Sequence, residues 1–184
     1  MTDGGAPPGP TTATADTAAD DPAPSRPVRP LPLLDDLNRS YWCGGADGRL
    51  HIHRCGTCAH YIHPPAPVCG SCYGRDVGAE PVSGRGIVYA FTVNHQAWLP
   101  DFPPPYIVAL IELEEQEGLR VLTNIVGCDV ASVHVGMPVA VEFVEQADVH
   151  VPVFRPLAGH EGEAMNVQAV LPRRTASARR GGGS

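Results

Sequence analysis

Four cysteines in the middle of the chain have the side chains and the spacing of metal ligands. Cys55 and Cys58 form one C-x-x-C pair, and Cys69 and Cys72 form a second pair after ten intervening residues. A C-x-x-C turn brings two thiolates to one side of the backbone, and two such turns can enclose one ion in a closed tetrahedral cage. The spacing therefore predicts a zinc ribbon in which Cys55, Cys58, Cys69 and Cys72 hold a structural Zn²⁺.

Other metal chemistry fits these cysteines less well. A redox-active pair needs one C-x-x-C beside a βαβ unit, and a catalytic zinc needs an open coordination position that four cysteines do not leave. Iron is an alternative occupant, although zinc is the commoner structural ion. A histidine in place of one cysteine ligand is a further alternative, because four lie nearby: His51, His53, His60 and His63. Strand alternation predicts that His51 and His53 share the outer face of the strand that leads into Cys55.

Catalytic groups outside the cysteine pairs are few. All 13 basic residues are arginine, which excludes Schiff-base chemistry and a P-loop lysine. The sequence has no nucleophile-elbow, zincin or dinucleotide-binding motif, and the glycine-rich segment 83–86 runs into a predicted strand instead of a helix. Cys43 and Cys128 are interpreted as a helix-end thiol and a small core residue. We therefore expect a role in binding or assembly rather than catalysis by this chain alone.

The elements that must position the cysteines follow from the apolar pattern. Apolar residues over 33–42 recur at offsets of three and four, which predicts a helix that ends near Gly44 and Gly45. After residue 82 the period becomes two, with Ile87, Tyr89, Phe91 and Val93 expected on one face of the first strand. Further alternating strands are predicted over 106–113, 119–125, 137–143 and 149–153.

Five short strands in this order predict a mainly β fold built around a small closed barrel. A helical turn fits the gap over 128–135, and a five-stranded barrel with a short helix in that gap suits an OB-fold. The glutamates at 112, 114, 115 and 117 are expected at a solvated hairpin tip.

Composition divides the chain into five segments. Residues 1–30 include 25 Pro, Ala, Thr, Asp and Gly residues, so they cannot bury enough apolar surface to offset their lost entropy. We expect a disordered leader over 1–30, an N-terminal helix within 31–48, the ribbon over 49–80, the OB-fold over 81–157, and a C-terminal extension with a flexible basic tail over 158–184.

Charge and hydropathy narrow the class of partner. Residues 31–172 hold 16 acidic and 7 basic residues, a net charge of −9, which disfavours the positive groove of a nucleic-acid binder. No apolar run approaches the roughly 18 residues of a membrane span. The N-terminus lacks the order of a signal peptide. We expect no membrane association and a cytoplasmic location.

The order of motifs along residues 31–157 resembles one known family. The matching motifs are Tyr41-Trp42, the two cysteine pairs with Pro64-Pro65 between them, Pro81 to Gly86, Phe91 to Val93, Pro105 to Leu110, Leu122 to Cys128, Val135 to Val139, and Pro152 to Pro156. This string resembles the rubredoxin-like zinc-ribbon plus OB-fold proteins long catalogued as a domain of unknown function. The ribbon is generic, whereas the order of the strand motifs is specific.

The resemblance implies a noncatalytic accessory subunit of a thiolase-superfamily enzyme acting on acyl-CoA thioesters. Partners in that family include sterol-carrier-type thiolases, retro-aldolases that shorten steroid side chains, and archaeal acetoacetyl-CoA thiolase assemblies. The implied role is to stabilise the partner and to help form its CoA-binding groove, in a heterotetramer of two catalytic and two accessory chains. A hot-dog-fold enoyl-CoA hydratase is the alternative partner, and a zinc-ribbon/OB-fold nucleic-acid-binding protein is the alternative outside the family.

The same resemblance implies particular site residues. It places the zinc ligands at Cys55, Cys58, Cys69 and Cys72. Because CoA carries phosphates, Arg85 and Arg155 in the matched motifs are predicted CoA contacts, with a structural salt bridge as the alternative for each. His95 and Trp98, in the loop after the first barrel strand, are expected to face the partner or the acyl chain, with buried packing as the alternative.

Overall fold

The fold is seen in a computed structural model, which describes residues 29–99 and 102–157 together with Met1. The predicted disordered leader lies outside the described residues except at Met1, Arg29 and Pro30. The predicted extension and basic tail over 158–184 lie wholly outside them. Within the described ranges, no helix is long and apolar enough to cross a membrane.

The N-terminal helical segment is shorter than predicted. Helix α1 spans Arg39–Cys43 and continues as a 3₁₀ helix over Gly44–Asp47. The prediction of a helix over 33–42 is therefore wrong for its first six residues. The reason is a local turn, in which the side chain of Asp35 accepts a hydrogen bond of 2.8 Å from the backbone N–H of Asn38. The Asp35 carbonyl also accepts from the Arg39 N–H at 3.0 Å, so Asp35 bonds as an N-cap does and the residues before it stay outside the helical turn.

Three antiparallel strands form the ribbon sheet. They are β1 (Leu50–Cys55), β2 (Tyr61–Ile62) and β3 (Val77–Val82), in the order β2-β1-β3. Strand β1 alternates, and Leu50 and Ile52 on one face are each only 1% exposed. Both belong to the same core cluster as the barrel residues, so the ribbon and the barrel share one hydrophobic core.

The predicted five-stranded barrel is confirmed. Its strands close in the order β4-β5-β6-β8-β7, with antiparallel pairing except between β6 and β8. The strands are β4 (Arg85–Asn94), β5 (Tyr106–Leu113), β6 (Arg120–Ile125), β7 (Pro138–Gln146) and β8 (Val149–Pro156). A 3₁₀ turn over Val130–Ser132 fills the gap between β6 and β7, as the sequence predicts.

Strand β4 departs from simple alternation. A β-bulge interrupts its register with β5 between Val88 and Ala90. Val88 is fully buried and Tyr89 is 39% exposed, so the prediction that Tyr89 shares a face with Phe91 and Val93 is wrong. Beyond the bulge, Phe91 and Val93 pack against the core as predicted. An extra residue at a bulge moves the following side chains to the other face, and alternation alone cannot reveal that shift.

The loop between β5 and β6 is not simply a solvated tip. Glu112 forms an ion pair with Arg120 at 2.9 Å, and its side chain is only 15% exposed. Glu115 accepts a hydrogen bond of 2.6 Å from the backbone N–H of Ser83, which joins the ribbon to the barrel. Of the four glutamates, only the other two are exposed. The loop therefore braces the junction between the two sheets.

Candidate functional site

The two cysteine turns are built in the same way. In the first, the backbone N–H of Cys55 donates to the carbonyl of His60 at 2.9 Å, and the Cys55 carbonyl accepts from the N–H of Ala59 at 2.8 Å. Ala59 has a φ of 62°, which bends the chain back toward the first cysteine. The equivalent bonds of the second turn run from Cys69 to Gly74 and from Tyr73 to Cys69, both at 2.9 Å.

The four predicted ligand sulfurs converge. All four Sγ atoms lie within 4.8 Å of one another, and the Cys55–Cys72 and Cys58–Cys69 pairs are both 3.6 Å apart. Four sulfurs about 2.3 Å from a tetrahedral ion would be roughly 3.8 Å apart, so the spacing fits a closed cage. All four cysteines are free thiols without a disulfide. The donor set and the distances therefore suit one tetrahedral metal ion.

The electrostatics of the cluster also favour a bound cation. The backbone N–H of Cys58 lowers the pKa of Cys55 to about 6, against the opposing effect of burial. The Gly74 N–H lowers the pKa of Cys72. The hydrogen bonds that the Cys72 thiol makes with the thiols of Cys58 and Cys55 outweigh that effect and raise its pKa to about 12. Four sulfurs this close cannot all become thiolates without a positive charge between them.

Neighbouring residues hold the first turn in place. The N–H of Gly56 donates to the backbone carbonyl of Asp76 at 2.8 Å, and a Cβ at Gly56 would overlap the Asp76 carboxylate. Arg54 donates to the Ala59 carbonyl at 3.0 Å and forms an ion pair with Glu80, also at 3.0 Å. The cysteine turn is thus tied to the end of β1 and to β3.

No histidine joins the cysteine cluster within the described residues. The prediction of an outer face for His51 and His53 is wrong, since His53 is only 8% exposed and the His51 side chain packs against Gly44. The ring of His63 lies 4.8 Å from that of buried Tyr41. Burial, together with the neighbouring His53, lowers the pKa of His63 to about 4. The imidazoles of His51, His53 and His63 are therefore part of the packing near α1, whereas His60 is exposed.

The two predicted CoA-contacting arginines lie on one outer face of the barrel. Arg85 on β4 is directly opposite Ala140 on β7, and Ala140 is directly opposite Arg155 on β8. Residues directly opposite one another project from the same face, so the two arginines are about 10 Å apart across two strand spacings. Arg155 forms a two-pronged ion pair with Glu142, whereas the exposed Arg85 has no ion-pair partner within the described ranges.

The loop after β4 is exposed. Trp98 is 71% exposed and donates its indole N–H to Asn94 at 3.1 Å, and His95 is also exposed. The alternative of buried packing for these two residues is therefore wrong. Cys128 packs against the core and Cys43 ends α1, in agreement with the sequence.

Sequence reasoning missed one feature, a groove between the N-terminal segment and the barrel. It is lined mainly by apolar and aromatic side chains and has a volume of about 380 Å³. Arg29, which the sequence places in the leader, is its one charged lining residue among those the structure describes. No local pattern reveals this groove, because its walls come from segments far apart in the sequence.

A ribbon with four clustered cysteines is joined to a closed five-stranded OB-type barrel. Residues 79–144 match the family model described as the C-terminal OB-fold domain of ChsH2. In a solved structure titled "Ltp2-ChsH2(DUF35) aldolase", a chain 37% identical superposes with a TM-score of 0.62 over 68% of this chain and 98% of the other. The present chain belongs to the DUF35 family.

Curated relatives carry several different names. A probable enoyl-CoA hydratase alpha subunit from Thermomonospora curvata is 37% identical over 73% of this chain and 42% of its own length. A DUF35 domain-containing scaffold protein from Methanothermobacter thermautotrophicus is 32% identical over 49% of this chain and 68% of its own. The benzoylsuccinyl-CoA thiolase subunit BbsA of Thauera aromatica is 34% identical over 45% and 57%, respectively. The chain thus spans less than half of the hydratase relative.

Proposed function

We propose that this chain is a noncatalytic accessory subunit of a thiolase-superfamily enzyme, either a sterol-carrier-type thiolase or a retro-aldolase, in lipid or steroid side-chain degradation. One observation carries the proposal. The chain matches almost the whole of a chain in the solved Ltp2-ChsH2(DUF35) aldolase, while its own cysteines form a closed cluster. A closed four-thiolate site has no open coordination position for substrate.

The metal supports structure in this proposal. Cys55, Cys58, Cys69 and Cys72 hold Zn²⁺, which neutralises the crowded thiolates and ties the two cysteine turns together. Structural zinc sites contribute directly to the free energy of folding. The cytoplasm, where thiols stay reduced, suits such a site.

The two arginines on the outer barrel face, Arg85 and Arg155, support a contact with CoA. Arg85 has no ion-pair partner among the described residues, and Arg155 lies two strands away on the same face. Guanidinium groups bind phosphate through paired hydrogen bonds, and CoA carries several phosphates. In the complex, this face would help to form the CoA-binding groove while the partner supplies the catalytic cysteine and histidine. A two-plus-two heterotetramer follows from the family resemblance.

A second candidate is the accessory subunit of an enoyl-CoA hydratase with a hot-dog fold. The name of the Thermomonospora relative favours it. Nucleic-acid binding has less support, because residues 31–157 carry 14 acidic and 7 basic residues and single-strand grooves need positive charge.

Co-expression of the full chain with each thiolase-superfamily and hot-dog-fold protein encoded in the source genome tests the proposal. We expect a stable complex with a thiolase-superfamily protein, in which thiolytic or retro-aldol activity depends on the presence of both chains. The purified chain alone should turn over no acyl-CoA. Turnover by the isolated chain, or a complex formed only with the hydratase, would contradict the proposal.

A further inference from the structure

The groove that contains Arg29 has the make-up of a small-molecule site. It lies between the N-terminal segment, α1 and the barrel face of β5, β6 and β8, and its volume of about 380 Å³ is typical of ligand sites, which span about 300–1,000 Å³. Most of its wall is aromatic or aliphatic, as in known ligand sites. The apolar wall includes Tyr41, Trp42, Phe102, Val108, Leu122 and Val151.

Arg29 is held firmly at one end of this groove. Its backbone N–H donates to the side-chain oxygen of Gln146 at 2.9 Å, and its carbonyl accepts from the Gln146 amide at 2.6 Å. The guanidinium donates through Nη1 to the side-chain oxygen of Asn124 and lies 4.7 Å from the centre of the Phe102 ring. Because four contacts position it, little entropy would be lost when it binds an anion.

The guanidinium of Arg29 has no counter-ion among the residues that the structure describes. Burial lowers its pKa, as expected for a cation removed from water without an anionic partner. The two polar side chains of β6 in the wall are already engaged. Asn124 donates to the Ile107 carbonyl at 2.7 Å, and Thr123 donates to the Pro152 carbonyl at 2.8 Å. Nε of Arg29 is buried without a hydrogen-bond partner among the described residues, so the remaining Nη donors are the charged groups that a ligand in the groove would meet.

We propose that this groove binds an apolar ring-containing or chain-like molecule that carries a carboxylate, with Arg29 as the anion-binding residue. The apolar body lies against the aromatic wall, and the carboxylate accepts hydrogen bonds from the guanidinium. A planar guanidinium suits a carboxylate, since two parallel hydrogen bonds can form. The site lies on described residues of this chain alone, so the inference does not depend on the partner enzyme or on CoA.

The experiment uses the full chain with its metal and 2-naphthylacetate as the probe. Two-dimensional ¹H–¹⁵N NMR follows the amides of the groove and the indole of Trp42 during titration, with 2-(2-naphthyl)ethanol as the neutral analogue. Arg29→Leu removes the cation. Arg49→Leu, at an exposed site that does not line the groove, is the matched control for the change in charge. Leu122→Glu places a negative charge on the groove wall at a residue that is 66% exposed, so it tests the site without altering the core.

During titration with 2-naphthylacetate we expect saturable changes in NMR chemical shift that are confined to the groove. The neutral analogue should bind at least about tenfold more weakly, because hydrogen bonds to charged groups are stronger than those between neutral groups. The Arg29→Leu and Leu122→Glu proteins should each bind the carboxylate probe about tenfold more weakly or worse. The Arg49→Leu protein should bind it with the affinity of the parent chain. Equal binding of carboxylate and alcohol, unchanged affinity in Leu122→Glu, or shifts outside the groove would overturn the proposal. So would the absence of saturable binding to the folded parent chain.

Discussion

The side-chain amide of Gln116 makes two hydrogen bonds with the backbone of Tyr61. The Tyr61 N–H donates to the amide oxygen at 2.8 Å, and the amide nitrogen donates to the Tyr61 carbonyl at 3.2 Å. Gln116 lies in the loop between β5 and β6, and Tyr61 begins β2, so a barrel loop completes the backbone hydrogen bonding of the ribbon edge. The two residues are 55 positions apart in the sequence.

Replacing Gln116 by Ala should loosen this junction. The change leaves a partly buried N–H and carbonyl of Tyr61 without partners, and we expect the free energy of unfolding to fall by about 1–3 kcal/mol. Urea denaturation gives the free energy, and amide hydrogen exchange at Tyr61 should quicken. Glu117→Ala, at the exposed neighbouring position, is the control and should change stability by less than about 0.5 kcal/mol. Equal effects of the two substitutions would show that the amide contacts contribute nothing.

Replacing Cys58 by Ser should remove the metal and unfold the ribbon. Cys58 is exposed, so the substitution alters little packing, but it removes one of four ligands. We expect zinc measured by mass spectrometry to fall from about one ion per chain to near zero, because a closed site needs all four thiolates. The NMR signals of the ribbon sheet should lose their chemical-shift dispersion, because metal binding and folding are coupled.

The control for the zinc experiment is Cys43→Ser, which changes a cysteine outside the cluster. It should keep its full metal content and its ribbon signals. Retention of stoichiometric zinc by the Cys58→Ser protein would contradict the four-cysteine site and would reopen the alternative of a histidine ligand.

His63 should make stability fall at acidic pH. The pKa of His63 is about 4 in the folded chain, lowered by burial and by His53, against about 6.5 when unfolded. As the pH falls below 6.5 the unfolded chain takes up a proton first, so stability is lost between pH 6.5 and about 4 and is fully present above that window. The loss attributable to His63 is on the order of 3 kcal/mol.

The variant that isolates this effect is His63→Phe, which retains a ring beside Tyr41 but does not titrate. The difference in free energy of unfolding between parent and variant should shift in favour of the variant as the pH drops from 7.5 to 4.5. Protonation of the zinc ligands affects both proteins alike and cancels. A difference that stays constant with pH would refute the shifted pKa.

Arg85 should contribute more than Arg155 to the affinity of the complex for CoA. Arg155 is already paired with Glu142, whereas Arg85 is available, so Arg85→Ala should weaken CoA binding to the assembled complex by about tenfold, and Arg155→Ala by less. Isothermal titration with CoA at two salt concentrations measures the effect and its electrostatic origin. Arg49→Ala provides the control. If the Arg85→Ala complex binds CoA with unaltered affinity, Arg85 does not contact CoA.

Trp98 should contribute to partner binding. It is 71% exposed, so Trp98→Ala should leave the melting temperature of the isolated chain almost unchanged. Exposed tryptophans at protein interfaces are common hot spots, and loss of one costs about 2 kcal/mol or more, which is roughly thirtyfold in affinity. Surface plasmon resonance with the co-purifying enzyme tests this. A complex of parental affinity would show that the loop lies outside the interface.

Features encoded by short-range pattern were predictable. The spacing of Cys55, Cys58, Cys69 and Cys72 is itself the local geometry of two metal-binding turns. Alternation reveals strands such as β6, because each residue's face follows from its place along the strand. The length of the N-terminal helix was not predictable from periodicity, because the side chain of Asp35 caps the turn that leads into α1. The bulge at Val88 likewise depends on the facing strand.

What only the tertiary structure decided are the contacts between distant segments. Strand pairing places Arg85 and Arg155 on one face, and the amide of Gln116 reaches the ribbon 55 residues away. Arg29 and Asn124, 95 residues apart, meet at the groove. Residue type and spacing along the chain determine the local elements and the metal-binding turns. A site between elements forms only when burial of the shared core brings particular surfaces face to face.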